Sequence, residues 1–107
     1  MIAAIPIEND SKQSLISKRF GRSEFFAIVY SKAKEVRIIA NPCFELKTGT
    51  GNCLADHLRQ SFGVDTFIAF ELGWKIQQLA YKMDIQIIVL DNKNKFLTDI
   101  LNYMKIN

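Results

Sequence analysis

The sequence predicts an α/β protein with a three-layer α/β/α sandwich built on a mixed, five-stranded sheet. Two observations predict this fold class. Two apolar segments, 24–30 and 35–40, flank the short polar connection 31–34, which is typical of an antiparallel hairpin. From residue 54 onward, apolar patterns of helical and of strand spacing alternate, which is typical of strands joined by helices.

The first three predicted strands lie in the N-terminal half of the chain. Residues 2–7 form a short apolar run that reads as the first strand. Residues 24–30 are apolar almost throughout, whereas residues 35–40 begin with alternating charged and apolar side chains, so we expect one solvated face there. Asn41 and Pro42 then end the third strand.

The first helix is predicted after the irregular segment 43–52. Apolar residues recur at helical spacing between 54 and 62. We expect Thr50 or Asn52 to cap the start of this helix, because short polar side chains accept hydrogen bonds from its first N–H groups. Gly63 fits its left-handed C-terminal stop.

Two strands and two helices are predicted in the remainder of the chain. Residues 66–70 read as a strand, residues 73–83 as a helix, and residues 96–104 as a closing amphipathic helix. Between them, residues 85–90 are apolar almost without interruption, which favours a strand covered on both faces.

Length and composition limit the functional classes. The 107 residues suffice for one compact domain, 1–107, and are too few for two. Hydrophobic residues make up 49% and charged residues 23%, close to average soluble usage, and no apolar run has the length of a membrane span, so we expect no membrane partner. The N-terminus has no secretory pattern, which predicts a cytoplasmic protein. The net charge of +3 favours weak attraction to anions.

Two cysteines, Cys43 and Cys53, lie ten positions apart on either side of a glycine loop. A reducing compartment favours free thiols, and a structural disulfide is the less favoured alternative. Thiolates suit iron-sulfur cargo, and a helix N-terminus would stabilise that of Cys53, so both are candidate metal ligands. The alternative is two buried, apolar cysteines, since two ligands fall short of a permanent four-coordinate site. His57, one helical turn after Cys53, is a secondary candidate.

The run Arg19-Phe20-Gly21-Arg22 forms a basic, glycine-containing turn between two apolar segments, as binding loops of small α/β proteins do. Its arginines could donate forked hydrogen bonds to an anionic cluster, a carboxylate or a phosphate, although two solvated arginines are an equally good reading. Gly21 is expected to supply flexibility or a positive φ.

The loops after Ile7, Ala40 and Phe70 are the candidate site, because ligands of open α/β sheets bind outside the carboxyl ends of the strands. The second of these loops carries Gly49-Thr50-Gly51 before a helix, where backbone N–H groups can face an anion. The candidate cofactor-binding residues are Arg19, Phe20, Gly21, Arg22, Gly49, Gly51 and Glu71. Trp74 either covers a helix end or lines this site.

With these elements placed, the chain resembles a known family, the small domain of the nitrogenase iron-molybdenum cofactor accessory proteins and their stand-alone relatives. The resemblance covers nearly the whole chain and rests on the order and spacing of short segments. These are Ala4-Ile5-Pro6, Phe20-Gly21-Arg22, Phe26-Ala27-Ile28-Val29, Asn41-Pro42, Gly49 and Gly51, Gly63-Val64-Asp65, and the block from Ile68-Ala69 through Gly73 to Leu79 and Ile85.

The resemblance implies a ribonuclease H-like motif without the nuclease carboxylates and without catalysis. It also implies a protein that binds or carries an iron-sulfur-type metallocofactor or its precursor, with cofactor-biosynthesis proteins as partners. The chain departs from the family at two places. Many members have histidine where Arg19 stands, so this position offers no imidazole ligand. Relatives commonly have glycines where Phe70 and Glu71 stand, and the larger side chains narrow the approach of cargo to the backbone.

The leading interpretation is a non-enzymatic carrier of an iron-sulfur-type cluster, a precursor or another anionic ligand. A protein-interaction or regulatory module that has kept the fold and binds no cofactor remains an alternative. A metal-dependent hydrolase or nuclease on the same scaffold is a second alternative, although the acids are scattered along the chain.

Nucleotides and nucleic acids fit the sequence less well. The glycine loop lacks the third glycine of a dinucleotide fingerprint and the Gly-Lys-Ser/Thr ending of a P-loop. No exposed aromatic platform accompanies the basic loop, because Phe26 is expected to point into the core. We therefore expect no nucleic-acid partner.

Overall fold

A computed structural model of the chain describes residues 1–93 and 95–106. The elements of this part are β1 (Ile2–Ile7), β2 (Phe25–Tyr30), β3 (Glu35–Ala40), α1 (Thr50–Phe62), β4 (Thr66–Ala69), α2 (Trp74–Lys82), β5 (Gln86–Val89) and α3 (Leu97–Tyr103). None of the helices in the described residues has the length and apolarity needed to cross a membrane.

The strands form one mixed, five-stranded sheet in the order β3-β2-β1-β4-β5. The hairpin strands β2 and β3 are antiparallel, and β2 is also antiparallel to the central strand β1. On its other side β1 pairs in parallel with β4, and β4 pairs in parallel with β5. The predicted hairpin and mixed sheet are therefore confirmed.

The side chains of β1 alternate between two apolar cores, one on each face of the sheet. Ala4 belongs to the core that includes Leu58 of α1 and Ala80 of α2. Ala3 and Ile5 belong to the core formed with α3. Because period-two alternation places successive residues on opposite faces, the helices cover both sides of the sheet. This arrangement confirms the three-layer α/β/α sandwich.

The structure places β5 at the edge of the sheet, a position that the sequence did not indicate. The apolar run 85–90 was expected in a sheet covered on both faces, and Ile87 and Ile88 pack against the two opposite cores. The cover is partial at this edge, where Val89 is 67% exposed. The other strand and helix boundaries agree with the sequence to within one residue, apart from the start of α1.

The two ends of α1 are both set by glycines in the left-handed conformation. Gly63 has φ 70° and donates its N–H to the carbonyl of Arg59, which confirms the predicted stop. At the start, the N-cap residue is Gly49 with φ 73°, and no side chain of the described residues caps the helix. The expectation of a cap by Thr50 or Asn52 is wrong, since the Thr50 hydroxyl instead donates to the Leu46 carbonyl at 3.3 Å.

Candidate binding cleft

The loops after β1, β3 and β4 enclose a cleft of about 630 Å³. These three strands run in the same direction, so their carboxyl ends open at one edge of the sheet. The walls come from residues 19–22, 47–52 and 71–76, together with Leu79. The structure brings together all seven residues that the sequence singled out for cofactor binding, namely Arg19, Phe20, Gly21, Arg22, Gly49, Gly51 and Glu71.

Phe20 anchors the basic loop to the protein interior. Its side chain is 1% exposed, and its ring centroid lies 5.0 Å from that of Phe26 on β2 and 4.6 Å from that of Phe67 on β4. Aromatic pairs in this distance range stabilise a core beyond the area that they bury. Phe20 therefore holds the loop against the core. The exposed side chains of this loop that line the cleft are those of Arg19 and Arg22.

Hydrogen bonds join the three walls. The Phe20 N–H donates to the Glu71 carbonyl at 3.3 Å, beside a short bridge between Arg19 and Glu71. Arg22 Nη1 donates to the Leu46 carbonyl at 3.4 Å, which connects the first loop to the second. The basic loop is thus held at both ends by backbone acceptors, and its two guanidinium groups border the same opening.

Gly21 and Gly51 are needed for close packing against α2. A β-carbon built on Gly21 would lie 3.1 Å from Ile76 Cδ1, and one built on Gly51 would lie 3.2 Å from Ile76 Cγ1. Gly21 does not have a positive φ, so that part of the expectation is wrong, and the expected flexibility stays a prediction. The small size of Gly21 lets the arginine loop pack closely against α2. Gly49 differs from Gly21 and Gly51, because its φ of 73° favours glycine while a β-carbon built on it would have open space.

Two helices begin at the cleft. The first turns of α1 and α2 line it, with Gly49 and Gly73 as their N-cap residues. Within the described residues, neither helix has a side-chain cap or an acidic residue in its first turn. Helix N-termini carry partial positive charge and unsatisfied N–H groups, which favour anions.

The structure adds cations that the sequence reasoning missed. Lys47 and Lys75 line the cleft along with Arg19 and Arg22, and Glu71 is the one acid among the described lining residues. Both lysines could have been found, because Lys47 lies in the glycine loop and Lys75 directly follows Trp74 at the start of the predicted helix. The sequence left it open whether Trp74 covers a helix end or lines the site. Trp74 is 64% exposed and forms part of the wall of the cleft.

Cys43 and Cys53 form a disulfide, so the expectation of free thiols is wrong. Cys43 is fully buried in the segment between β3 and α1, and Cys53 lies half-buried in the first turn of α1. Neither residue lines the cleft. As a disulfide the pair offers no thiolate, and metal ligation by these residues remains a prediction for the reduced chain. The cytoplasmic location on which the expectation rested also stays a prediction.

His57 and Glu8 do not line this cleft. His57 is half-buried, with its Nδ1 3.3 Å from the Ser61 hydroxyl and its ring 5.5 Å from that of Phe62. Glu8 lines a second cleft of about 500 Å³, to which Glu71 also contributes. Among the described residues, no group of three or more His, Cys, Asp and Glu side chains is arranged to hold a metal ion.

Comparison with known proteins identifies the family and the fold of the chain. The sequence model of the family described as dinitrogenase iron-molybdenum cofactor matches residues 1–105. No curated protein matches the chain significantly. Three solved structures share its fold. The apo form of the orange protein from Desulfovibrio gigas superposes with a TM-score of 0.80 at 21% identity, covering 97% of this chain and 87% of that one.

The other two neighbours are similarly distant in sequence. The protein PH0822 superposes with a TM-score of 0.75 at 21% identity, covering 98% of this chain and 91% of its own. A protein from Thermotoga, described as NifB-like and of the DUF35 family, superposes with a TM-score of 0.77 at 18% identity, covering 97% and 86%. At these identities the structural matches support the fold, and the family match confirms the resemblance noted in the sequence.

Proposed function

The chain belongs to the dinitrogenase iron-molybdenum cofactor family, and from this membership we propose that it is a non-catalytic carrier of an anionic, iron-sulfur-type metallocofactor or its precursor. The cargo would occupy the cleft at the carboxyl ends of the strands. Proteins of cofactor biosynthesis would deliver and receive it.

One observation carries the proposal, namely the excess of basic over acidic side chains around the cleft. Arg19, Arg22, Lys47 and Lys75 line it against the single described acid Glu71. Arginine presents a planar fork of donors that matches carboxylates and other oxyanions, and lysine adds a mobile point charge. A site with this balance favours a ligand with several negative charges.

The helix starts support the same polarity. The first turns of α1 and α2 both line the cleft, and neither first turn contains an acidic residue. An anion in the cleft would therefore meet two positive dipole ends as well as the cations. These contributions add to the side-chain charges and do not depend on pH near neutrality.

The side chains around the cleft are better suited to hold a ligand through its negative charge than through bonds from protein atoms to a metal ion. The described cleft wall has no cysteine or histidine, and the two cysteines of the chain are joined to each other. Such contacts allow a preformed cluster to be taken up and released without exchanging metal ligands. Ligation by Cys43 and Cys53 would first require reduction of the disulfide.

The groups around the cleft are also those of a binding site. Arginine, lysine and backbone N–H groups stabilise negative charge, whereas hydrolysis needs a nucleophile with a base, or several acids that hold metal ions. This composition supports a carrier over the alternative of a metal-dependent hydrolase.

The test is anaerobic incubation of the protein with a preformed, anionic four-iron, four-sulfur cluster carrying thiolate ligands, followed by desalting and measurement of bound iron, acid-labile sulfide and visible absorption. We expect the wild type to retain cluster. The Arg19→Gln/Arg22→Gln variant should bind it roughly 10- to 100-fold more weakly, because two charge-assisted contacts are lost. A Lys12→Gln/Lys32→Gln variant removes the same charge outside the cleft and should behave as wild type.

A second arm tests the cysteines. Wild type and a Cys43→Ser/Cys53→Ser variant are loaded with and without dithiothreitol. Uptake that needs both dithiothreitol and the cysteines would assign ligation to the thiolates, whereas equal uptake would assign it to the cationic cleft. A wild type that stays colourless and free of iron in both arms would contradict the carrier function and favour the ligand-free interaction module.

A further inference from the structure

We propose, resting on the carrier function above, that Trp74 determines the specificity of the cleft by offering its indole ring to a polarisable surface of the ligand. The selected ligands would combine negative charge with such a surface, which is either the sulfide face of a cluster or a planar ring. The charges of the cleft select for anions in general, and Trp74 would restrict that selection to anions with such a surface.

Trp74 is exposed at a position where the fold does not need it. It is the first residue of α2 and is 64% exposed, while the inner face of this helix is formed by Ile76 and Ala80. Tryptophan is on average a largely buried residue, so an indole left in solvent at the rim of a cleft calls for another explanation. A ligand that covers the ring supplies one.

The indole is free to receive that ligand. Among the described residues, the close ring pairs involve phenylalanines and His57, and the one guanidinium over a ring is that of Arg37 over Tyr30. Trp74 takes part in none of these contacts. Its ring is therefore not stacked on another aromatic ring or under a guanidinium group of the described residues, and 64% of the residue is exposed.

The wall around Trp74 is apolar, although the cleft is rich in cations. Leu72, Ile76 and Leu79 line the same cleft as the two arginines. A small hydrated oxyanion would use the cations and leave this wall in water. A ligand with an apolar or polarisable body uses both, because rings stack on aromatic faces and sulfur atoms pack favourably at aromatic ring edges.

The experiment uses two pairs of probes with equal charge at pH 8. Benzene-1,3,5-tricarboxylate is compared with propane-1,2,3-tricarboxylate, which lacks the ring, and thiosulfate is compared with sulfate, which lacks the exposed sulfur. Affinities are measured by calorimetry. Trp74 is the single tryptophan of the chain, so a saturable change in its fluorescence reports binding at this wall.

We expect the wild type to bind at least one polarisable probe roughly 3- to 10-fold more tightly than its partner, as aromatic packing energies predict. A preference within the tricarboxylates would indicate a planar ring, and one within the sulfur pair would indicate a sulfide face. Trp74→Phe should keep most of the preference. Trp74→Ala should lose it, so that the two members of each pair bind with equal affinity.

Equal affinities within both pairs, a preference that survives in Trp74→Ala, or binding of none of the four probes would overturn the inference. Cluster uptake that still depends on Arg19 and Arg22 would then leave the carrier function standing. Uptake that does not depend on these arginines would instead overturn the carrier function, whatever Trp74 does. The two failures are thus distinguished by different variants and different ligands.

Discussion

Gly21 packs so closely against Ile76 that a β-carbon on the glycine would lie 3.1 Å from Ile76 Cδ1. The contact joins the arginine loop to α2, whose first turn lines the same cleft. A β-carbon at this distance would force Ile76 to shift. The position of the arginine loop on α2 therefore depends on the absence of a side chain at Gly21. The position of Arg19 and Arg22 therefore depends on a packing contact as well as on hydrogen bonds.

A Gly21→Ala substitution should lower the free energy of unfolding by about 1 kcal/mol, the lower end of overpacking costs. Ile76→Val removes the Cδ1 atom and should cost about 1 kcal/mol by itself. In the Ile76→Val background, Gly21→Ala should cost little, because its close neighbour is gone. Urea denaturation of the four proteins of this double-mutant cycle measures the coupling.

Gly51→Ala is the matched control for that cycle. Its β-carbon would lie 3.2 Å from Ile76 Cγ1, an atom position that valine retains. Ile76→Val should therefore leave the cost of Gly51→Ala nearly unchanged. If the valine relieved both alanines equally, general loosening of α2 would explain the result, and the specific contact between Gly21 and Ile76 would be refuted.

Much of this arrangement was predictable, and the exceptions have physical causes. The hairpin, the strand–helix alternation and the meeting of three loops follow from apolar periodicity and from the geometry of parallel strands. The role of Gly21 was not predictable, since a glycine kept for close packing and one kept for its φ look alike in a sequence. The β5 edge was missed because an apolar run does not reveal which strands flank it.

The disulfide was missed for a different reason. Sequence spacing cannot fix the distance between two cysteines separated by an irregular loop, and the expected compartment argued for thiols. In the structure the Cα atoms of Cys43 and Cys53 lie 6.0 Å apart, within the range that a disulfide spans. Only the folded path of residues 44–52 brings them together.

Gly49→Ala should destabilise the protein through the backbone. Gly49 has φ 73°, a left-handed conformation that costs an alanine about 1–2 kcal/mol, and nothing lies within 4 Å of an added β-carbon. Gly49→Asn should lose less, because asparagine tolerates this conformation. Chemical denaturation of both variants checks the order. Equal losses would show that φ is not the cause.

Reduction of the Cys43–Cys53 disulfide should lower the free energy of unfolding by about 2–4 kcal/mol, since the bond restrains a loop whose ends are ten residues apart. Urea denaturation with and without dithiothreitol measures the loss in the wild type. A Cys43→Ala/Cys53→Ala variant should be insensitive to dithiothreitol. A wild type that is equally stable in both conditions would contradict the prediction.

The same reduction should weaken anion binding. The segment between the two cysteines supplies residues 47–52 of the cleft wall, including Lys47. Freed from its covalent closure, this wall has to be ordered when a ligand binds, and that ordering lowers affinity. We expect benzene-1,3,5-tricarboxylate to bind a few-fold more weakly to the reduced wild type by calorimetry. An unchanged affinity would mean that the hydrogen bond from Arg22 to Leu46 and the start of α1 hold the wall without the disulfide.

Glu71→Gln should strengthen anion binding, because Glu71 is the one acid among the described residues that line the cleft. Its backbone carbonyl accepts the Phe20 N–H, and this bond does not involve the carboxylate, so the substitution should leave the loop in place. Removing one negative charge near a trianion at an exposed site predicts a gain of roughly threefold in affinity for propane-1,2,3-tricarboxylate, and less at high salt.

Glu35→Gln on β3 makes the same change of charge outside the cleft, and it should leave the affinity unchanged. Calorimetry at low and at high salt compares the two variants with the wild type. A gain in both variants would mean that overall charge attracts the anion. A loss in Glu71→Gln alone would mean that the carboxylate itself contacts the ligand, as a hydrogen-bond acceptor or through a metal ion, and the cleft would then bind its cargo by a different chemistry from the one argued above.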